Sequence, residues 1–200
     1  MKTQIKNLIA ASFTVLLLGG TVLSLSASPI KNIITKTTPI KPFKKITVTG
    51  NVQVTIIQIG KEGVSYADDS NGTAKVTQQG DLITISPADN GMAKVIVYVK
   101  DIYRITGDDN ALVKTEGLLE TTYLQVFLNG NAKADLNTTT SGLCTILADS
   151  STLSLSGATA SHSLAKSTQS VLKIGRFAAL KTEINRTDYP GINQEMAAIK

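Results

Sequence analysis

From Leu128 onward the chain repeats itself every nineteen residues, and no other feature of the sequence narrows the possible folds so far. Written in blocks beginning at Leu128, Leu147 and Lys166, the residues stack into columns. Ala134, Leu153 and Leu172 share one column, Leu136, Leu155 and Ile174 share another, and polar Asp135, Ser154 and Lys173 lie between them. Near the block ends Ile146, Ala165 and Ile184 align, as do Cys144, Ser163 and Thr182. Each block thus carries the apolar–polar–apolar alternation that places every second side chain on one face of a strand. A block this short cannot bury its apolar side chains alone, so coils must stack and like residues must form ladders along an interior column. An ordinary β-sandwich has no reason to hold residue types in fixed columns over three blocks. The expectation is an all-β, parallel β-solenoid or β-helix-like repeat with about 19–20 residues per coil, its coils ~4.8 Å apart.

The earlier half carries the same strand chemistry without the fixed period. Ile46-Thr47-Val48-Thr49, Val52-Gln53-Val54-Thr55-Ile56 and Val95-Ile96-Val97-Tyr98-Val99 alternate in polarity and are bounded by Gly, Asn, Asp and Ser. Asn71-Gly72, between Tyr66-Ala67 and Lys75-Val76, predicts a hairpin turn, because both residues tolerate positive φ. Gln79-Gly80-Asp81, ahead of Leu82-Ile83-Thr84-Ile85, predicts a second turn. A punctuation element recurs as Val48-Thr49-Gly50-Asn51, Ile105-Thr106-Gly107-Asp108 and Leu128-Asn129-Gly130-Asn131. Small residues Ala132, Ser151 and Ser170 are expected to keep the coil corners tight. Open ends of a stack expose unpaired backbone and need covering. The lead-in before Ile46 and the tail from Asp188-Tyr189-Pro190-Gly191 onward are the expected caps.

The N-terminus reads as a secretory signal: Lys2 and Lys6, an apolar run from Leu8 through Leu25, then Ser24, Ser26, Ala27 and Ser28, with cleavage near Ala27. Gly19, Gly20 and several Ser and Thr residues make the run a mediocre membrane anchor, and no Cys at its end offers a lipid attachment point. The expected organisation is residues 1–27 as signal peptide, 28–42 as lead-in, 43–187 as one repeat domain and 188–200 as tail or cap, with no membrane span in the mature chain. Losing Lys2 and Lys6 takes the formal charge from +5 to +3. So small an excess, without a clustered basic face, argues against nucleic acid as a partner. The local concentration Lys36, Lys41, Lys44 and Lys45 sits among Pro39, Pro42 and Thr residues and reads as a solvated linker. Cys144 is the single cysteine, so no intrachain disulfide supports the fold.

The run Phe43-Lys44-Lys45-Ile46-Thr47-Val48-Thr49-Gly50-Asn51-Val52-Gln53-Val54-Thr55-Ile56 resembles the opening signature of the auto-transporter adhesin, head GIN domain family, a hydrophobic Ile-x-Val-x-Gly followed by Val-x-Val. The resemblance covers about residues 40–187, with Asp81 to Ile85, Val95 to Val99 and Ile105-Thr106-Gly107 also fitting. Members typically repeat Gly-Ser-Gly at the corners. Here the corners read Gly107-Asp108-Asp109, Gly130-Asn131-Ala132, Asp149-Ser150-Ser151 and Thr168-Gln169-Ser170, residues that serve the same turn geometry. The resemblance implies a right-handed β-solenoid in an exported protein, and it carries over no catalytic or binding residue.

No chemistry-bearing constellation emerges. Asp135, Asp149, Glu183 and Asp188 fall at different offsets of the nineteen-residue register, which disfavours a paired-carboxylate glycosidase site. Asp68-Asp69-Ser70-Asn71-Gly72 lacks the alternate-residue spacing of a calcium loop and reads as a turn, as Asp108-Asp109-Asn110 reads as a corner. His162 is the only histidine, so no histidine metal cage can form; its column, with Leu143 and Lys181, places it at the surface. Neither Ser161 nor Ser163 belongs to a nucleophile elbow. Cys144 falls on a column read as inward, beside Ile146, as an inert buried thiol. Phosphate-binding and dinucleotide glycine patterns are missing. Sugar-stacking aromatics are sparse: no Trp, and Tyr66, Tyr98, Tyr103, Tyr123 and Tyr189 spread thinly.

The expectation is therefore a protein that is not an enzyme, with no catalytic, metal or cofactor residue. It would be an exported module, adhesive or scaffolding at the cell envelope, in the periplasm or on the outer surface, meeting a cell-surface glycan or protein through Thr/Ser/Asn ladders at Asn137 to Ser141 and Ser150 to Thr152. The alternatives are a carbohydrate-binding or polysaccharide-processing protein on the same fold, and a periplasmic sensing partner.

Overall fold

The computed structural model describes residues 40–67 and 69–186, which form twelve strands and, among the described residues, no helix. In chain order these are β1 (Lys45–Thr49), β2 (Val52–Gln58), β3 (Gly63–Tyr66), β4 (Ala74–Gln79), β5 (Leu82–Pro87), β6 (Ala93–Val99), β7 (Arg104–Asp108), β8 (Leu112–Glu116) and β9 (Leu119–Leu128). Three long strands follow: β10 (Lys133–Leu147), β11 (Thr152–Lys166) and β12 (Val171–Arg186). The signal peptide, most of the lead-in and the tail lie outside the described residues.

All twelve strands belong to one mixed sheet in the order β3-β6-β2-β8-β10-β9-β7-β1-β5-β4, with β11 beside β10 and β12 beside β11. The sheet curls at β10. Its first residues, Lys133 to Asp135, pair with Leu112 to Lys114 of β8, whereas Thr138 to Leu147 pair with β9. The path therefore runs out along one layer (β3, β6, β2, β8) and back along a second (β9, β7, β1, β5, β4). The long strands β10, β11 and β12 each contribute to both layers.

Parallel pairing dominates, but β3 runs antiparallel on β6 and β4 antiparallel on β5. The expectation of a wholly parallel repeat is corrected accordingly. The reason is the route of the chain between Gln58 and Leu82. After β2 it travels to the far end of the stack, turns back through β3 and β4, and then places β5 and β6 beside β1 and β2. Strands β7 and β8 pair with the opposite sides of β1 and β2. The hairpin expected at Asn71-Gly72 is absent, since the strands on either side of it pair with different partners. Gly72 instead lies so close to Gly91 that a Cβ would stand 2.5 Å from the Gly91 carbonyl carbon. The turn at Gly80-Asp81 is as expected: Gln79 pairs with Leu82, and Gly80 takes φ +60°.

The nineteen-residue register holds from Leu119↔Thr138 through Lys133↔Thr152 to Ser154↔Lys173. Before it the offset is longer, with Arg104 opposite Gln125 and Leu112 opposite Lys133, because Gly117 and Leu118 form an extra step between β8 and β9. After it a bulge shifts the pairing, so that Ser156 meets Arg176. Every column past the bulge therefore moves by one residue: Thr182 pairs with His162 rather than Ser163, and Lys181 with Ser161 rather than His162. Ile174 leaves the interior and is 52% exposed, and Ile184 pairs with Leu164 rather than Ala165. The punctuation alignment shifts as well, since Val48, Gly107 and Leu128 share a row.

The left-handed corner positions are Gly50, Asp109, Gly130 and Asp149, with φ of 70°, 61°, 64° and 53°. Two of the four are aspartates, residues whose short polar side chains make left-handed backbone tolerable. The Gly130 N–H donates to Asp149 Oδ2 at 2.9 Å, linking successive corners. Beneath them Ala111, Ala132, Ser151 and Ser170 are all buried, as small residues at the corners must be.

The interior changes character along the stack. Around β1, β2, β5, β6 and β7 it is aliphatic: Ile46, Val48, Val52, Val54, Ile56, Ile83, Ile85, Val95, Val97, Val99 and Ile105 are buried to within 1% of complete. Each such side chain contributes roughly 1.5–3 kcal/mol relative to exposure. Within β10 and β11 the leucines Leu136, Leu143, Leu147, Leu153, Leu155 and Leu164 share the interior with Thr138, Thr140, Thr145, Thr159 and His162. These polar groups pair with one another or with backbone. Thr138 Oγ1 donates to the Leu119 carbonyl at 2.8 Å, Thr140 Oγ1 to Thr159 Oγ1 at 2.8 Å, and Thr159 Oγ1 to the Ser161 carbonyl at 3.0 Å.

Candidate binding faces

Pairing register decides which side chains stand together on the outside. On the first layer one outward row reads Lys94, Gln53, Leu112, Lys133, Thr152 and Val171, and the next reads Lys114, Asp135, Ser154 and Lys173. All of these but Lys94 and Val171 line a shallow depression in which Lys114, Lys133 and Lys173 face a single carboxylate, Asp135. On the second layer Thr77, Thr84, Thr47 and Thr106 form a threonine row that passes into Phe127, Ile146 and Ala165. Beside it Arg104 donates through Nε to Gln125 Oε1 at 2.8 Å and lies 5.2 Å from the Phe127 ring centroid. At the bend between the layers, Thr139, Ala158, Ala160, Ala178 and Leu180 line an apolar groove.

The ladders expected at Asn137 to Ser141 and Ser150 to Thr152 are only half outward. Thr138, Thr140 and Ser151 are buried, because a period of two sends alternate residues of each run inside. The basic row on the first layer had no contiguous sequence signal, since its three lysines lie about twenty and forty residues apart in the chain. Lys44 and Lys45 are likewise not free linker charges. Lys44 Nζ reaches Asp101 Oδ2 at 2.6 Å, and Lys45 lies 3.3 Å from Asp81 and 5.5 Å from the Tyr103 ring centroid. The Lys44 ammonium, with help from the Thr121 hydroxyl, holds the Asp101 carboxyl below the usual carboxylate range.

His162 corrects the sequence reading most clearly. It is 3% exposed, not on the surface. Opposite Leu143 it points inward, where Thr145 Oγ1 lies 2.9 Å from its Nε2 and Phe177 meets it edge-on at 5.7 Å. Burial lowers its pKa below the ordinary histidine value, so the ring is neutral at pH 7. Cys144 and Ile146 suggest one inward phase for β10, but Leu143, Thr145 and Leu147 are the buried set. Cys144 is outward, half-buried between Gln125 and Ser163, and burial raises its thiol pKa. A thiol held in that form is a poor nucleophile.

The carboxylates are dispersed, and several are engaged in structure. Asp69 pairs with Lys94, Glu183 with Lys181 at 2.6 Å, and Asp89 accepts from Thr73 N–H and Oγ1 and from the Gly91 N–H. Asp68 lies outside the described residues. Asp108 accepts from Asn129 Nδ2 at 2.6 Å within its corner. Among the described residues no three His, Cys, Asp or Glu side chains could hold a metal ion together. Tyr98 and Tyr123 sit in different layers, opposite Ile57 and Gly142 respectively, so they do not form a stacking platform. No helix among the described residues is long and apolar enough to cross a membrane.

A family model described as "Putative auto-transporter adhesin, head GIN domain" matches residues 42–187. Three solved structures share the fold. A "putative lipid binding protein" from Parabacteroides distasonis superposes with a TM-score of 0.57 at 14% identity, covering 76% of this chain and 77% of that one. A "putative adhesin" from the same organism gives 0.56 at 12% identity, with 76% and 77% covered. A "putative adhesin" from Parabacteroides merdae gives 0.53 at 14% identity, with 76% of each chain covered. At these identities the likeness concerns the fold alone. No curated protein matches the sequence.

Proposed function

We propose, because this chain belongs to the head GIN domain adhesin family, that it is an exported module of the cell envelope whose work is contact rather than catalysis. The architecture behind the proposal is a right-handed β-solenoid, parallel except for its first end, with rigid layers that hold outward side chains at fixed spacing. The observation that carries the reading is the first-layer row, where register alone brings Lys114, Lys133 and Lys173 together from three strands against one aspartate. Exposed cations on neighbouring strands create a positive potential that favours an anionic partner and weakens with salt. An acidic envelope glycan is the partner class this chemistry fits.

The dispersal of the carboxylates supports contact over hydrolysis, and the "adhesin" description of the family agrees in kind. Binding of the purified chain to immobilised acidic and neutral polysaccharides tests the proposal. Saturable, salt-sensitive binding to the acidic ones, lost in the Lys114→Ala/Lys133→Ala/Lys173→Ala variant, is the expected result. Equal binding of the variant, or binding to neither class, would overturn it. Protease shaving of intact cells then decides between an outer-surface and a periplasmic address.

A further inference from the structure

The depression on the first layer does not carry charge of one sign throughout. Along one outward row, pairing places Lys114, Asp135, Ser154 and Lys173 on four neighbouring strands, β8, β10, β11 and β12. Neighbouring strands lie ~4.8 Å apart, so the two lysines that end this row stand about 14 Å apart, with a carboxylate and a hydroxyl between them. Lys133 comes two residues before Asp135 on the same strand and so faces the same side, roughly 7 Å along it. Leu112, opposite Lys133, gives the depression an apolar floor. Lys94, at the head of the row through Lys133, is paired with Asp69 instead.

A surface built only to hold negative charge would not set a carboxylate among its lysines, where it cancels part of their field. What a carboxylate does well is accept. It has no donor, and its two oxygens take hydroxyl hydrogens in short, charge-assisted bonds. A ligand carboxylate at the same place would face it as a like charge, and such a juxtaposition turns away the wrong partner more than it strengthens the right one. Asp135 thus sets where along the row charge is accepted and where it is refused. A pyranose advances an extended glycan by about one strand spacing. A glycan crossing the strands would carry its anionic groups at Lys114 and Lys173, with neutral, hydroxyl-bearing sugars over Asp135 and Ser154.

We propose that Asp135 is the specificity-determining residue of this face: it accepts a hydroxyl of a neutral sugar and refuses an acidic one, so that the ligand is a glycan whose acidic sugars are separated by neutral ones. This assignment rests on the acidic-glycan reading of the same face and narrows the partner to sparsely charged glycans.

Two glycans that carry carboxylates and no sulfate provide the test: hyaluronate, with a carboxylate on every second sugar, and polygalacturonate, with one on every sugar. Binding of each to the purified chain is compared at equal carboxylate concentration and one ionic strength, without calcium. The unaltered chain should hold hyaluronate more tightly. Asp135→Asn should shift the ratio of the two affinities about fivefold towards polygalacturonate, the size of one exposed charge contact. Asp135→Glu, which keeps the charge, should keep the preference for hyaluronate. Asp135 is exposed, so both variants should fold with an unchanged thermal midpoint. An unchanged ratio in Asp135→Asn, even with both glycans held more tightly, would reduce Asp135 to a moderator of lysine repulsion and overturn the assignment. A preference of the unaltered chain for polygalacturonate would overturn it too, as would loss of the preference in Asp135→Glu. In each of those cases acidic glycans are still bound; binding of neither glycan by the unaltered chain would instead sink the acidic-glycan reading itself.

Discussion

The half of the molecule with the perfect register and the half with the apolar interior are different halves. Between β9 and β10, and between β10 and β11, paired residues stand nineteen positions apart, yet the interior there holds four threonines and a histidine among its leucines. In β1, β2 and β5 to β8 the pairing offsets are irregular, and the interior is nearly all Val and Ile. Repetition and burial thus do separate jobs. A repeat holds position by matching corners and hydrogen-bonded ladders, which tolerate polar residues provided each finds a partner. The irregular half has no such template, and its cohesion comes from aliphatic burial.

Three substitutions sharpen this contrast. The largest effect is expected at Gly157, which has φ +99° and lies where a Cβ would stand 2.1 Å from the Thr138 carbonyl oxygen. Gly157→Ala should cost about 4 kcal/mol or more, since neither backbone can yield without breaking the ladder. Urea denaturation measures it, and a loss under about 1 kcal/mol would mean the register is looser than described.

Next come matched truncations, Ile56→Ala in the aliphatic half and Leu155→Ala in the repeating half, each about 2–5 kcal/mol. Ile56→Ala should lower the midpoint of the main transition. Leu155→Ala should instead broaden or split it, because the repeating half can open while the rest holds. Identical behaviour of the two variants would erase the distinction between the halves.

The smallest effect concerns pH. His162 is neutral in the fold with its pKa lowered by burial, so the unfolded chain binds a proton that the native chain refuses. Stability is complete above the ordinary histidine pKa of about 6.5 and declines as pH falls below it. The carboxylates with lowered pKa, Asp69, Asp89 and Asp101 from an ordinary 3.8 and Glu183 from 4.5, act only below those ordinary values. His162→Gln, which retains a hydrogen-bonding partner for Thr145, should flatten the urea midpoint between pH 7 and pH 5. A midpoint that falls equally in the variant would place the proton uptake elsewhere.

Much of this was legible in the sequence, and the misreadings have physical causes. The columns through Ala134, Leu136, Leu153 and Leu155 are real because alternation and period agree there. Past residue 142 the hydropathy pattern gives the wrong phase, because Cys144 and Ile146 are apolar enough to suggest the inside and His162 polar enough to suggest the outside. In β10 and β11 the polar residues Thr145 and His162 satisfy each other, which a hydropathy pattern does not reveal. The antiparallel end is not legible in the sequence because Asn71-Gly72 is good turn chemistry serving a close backbone contact, not a hairpin. The lysine row of the first layer emerges only when strands are aligned across the irregular offset created by Gly117 and Leu118.

The division of labour between the halves is tested most directly by native-state hydrogen exchange, resolved strand by strand on the full chain. The account predicts that amides of β1, β2, β5 and β6 exchange only through global unfolding, while those of β10 and β11 exchange faster, through an opening of lower free energy. Uniform protection across the described strands, or slower exchange in β10 and β11 than in β2 and β6, would contradict it.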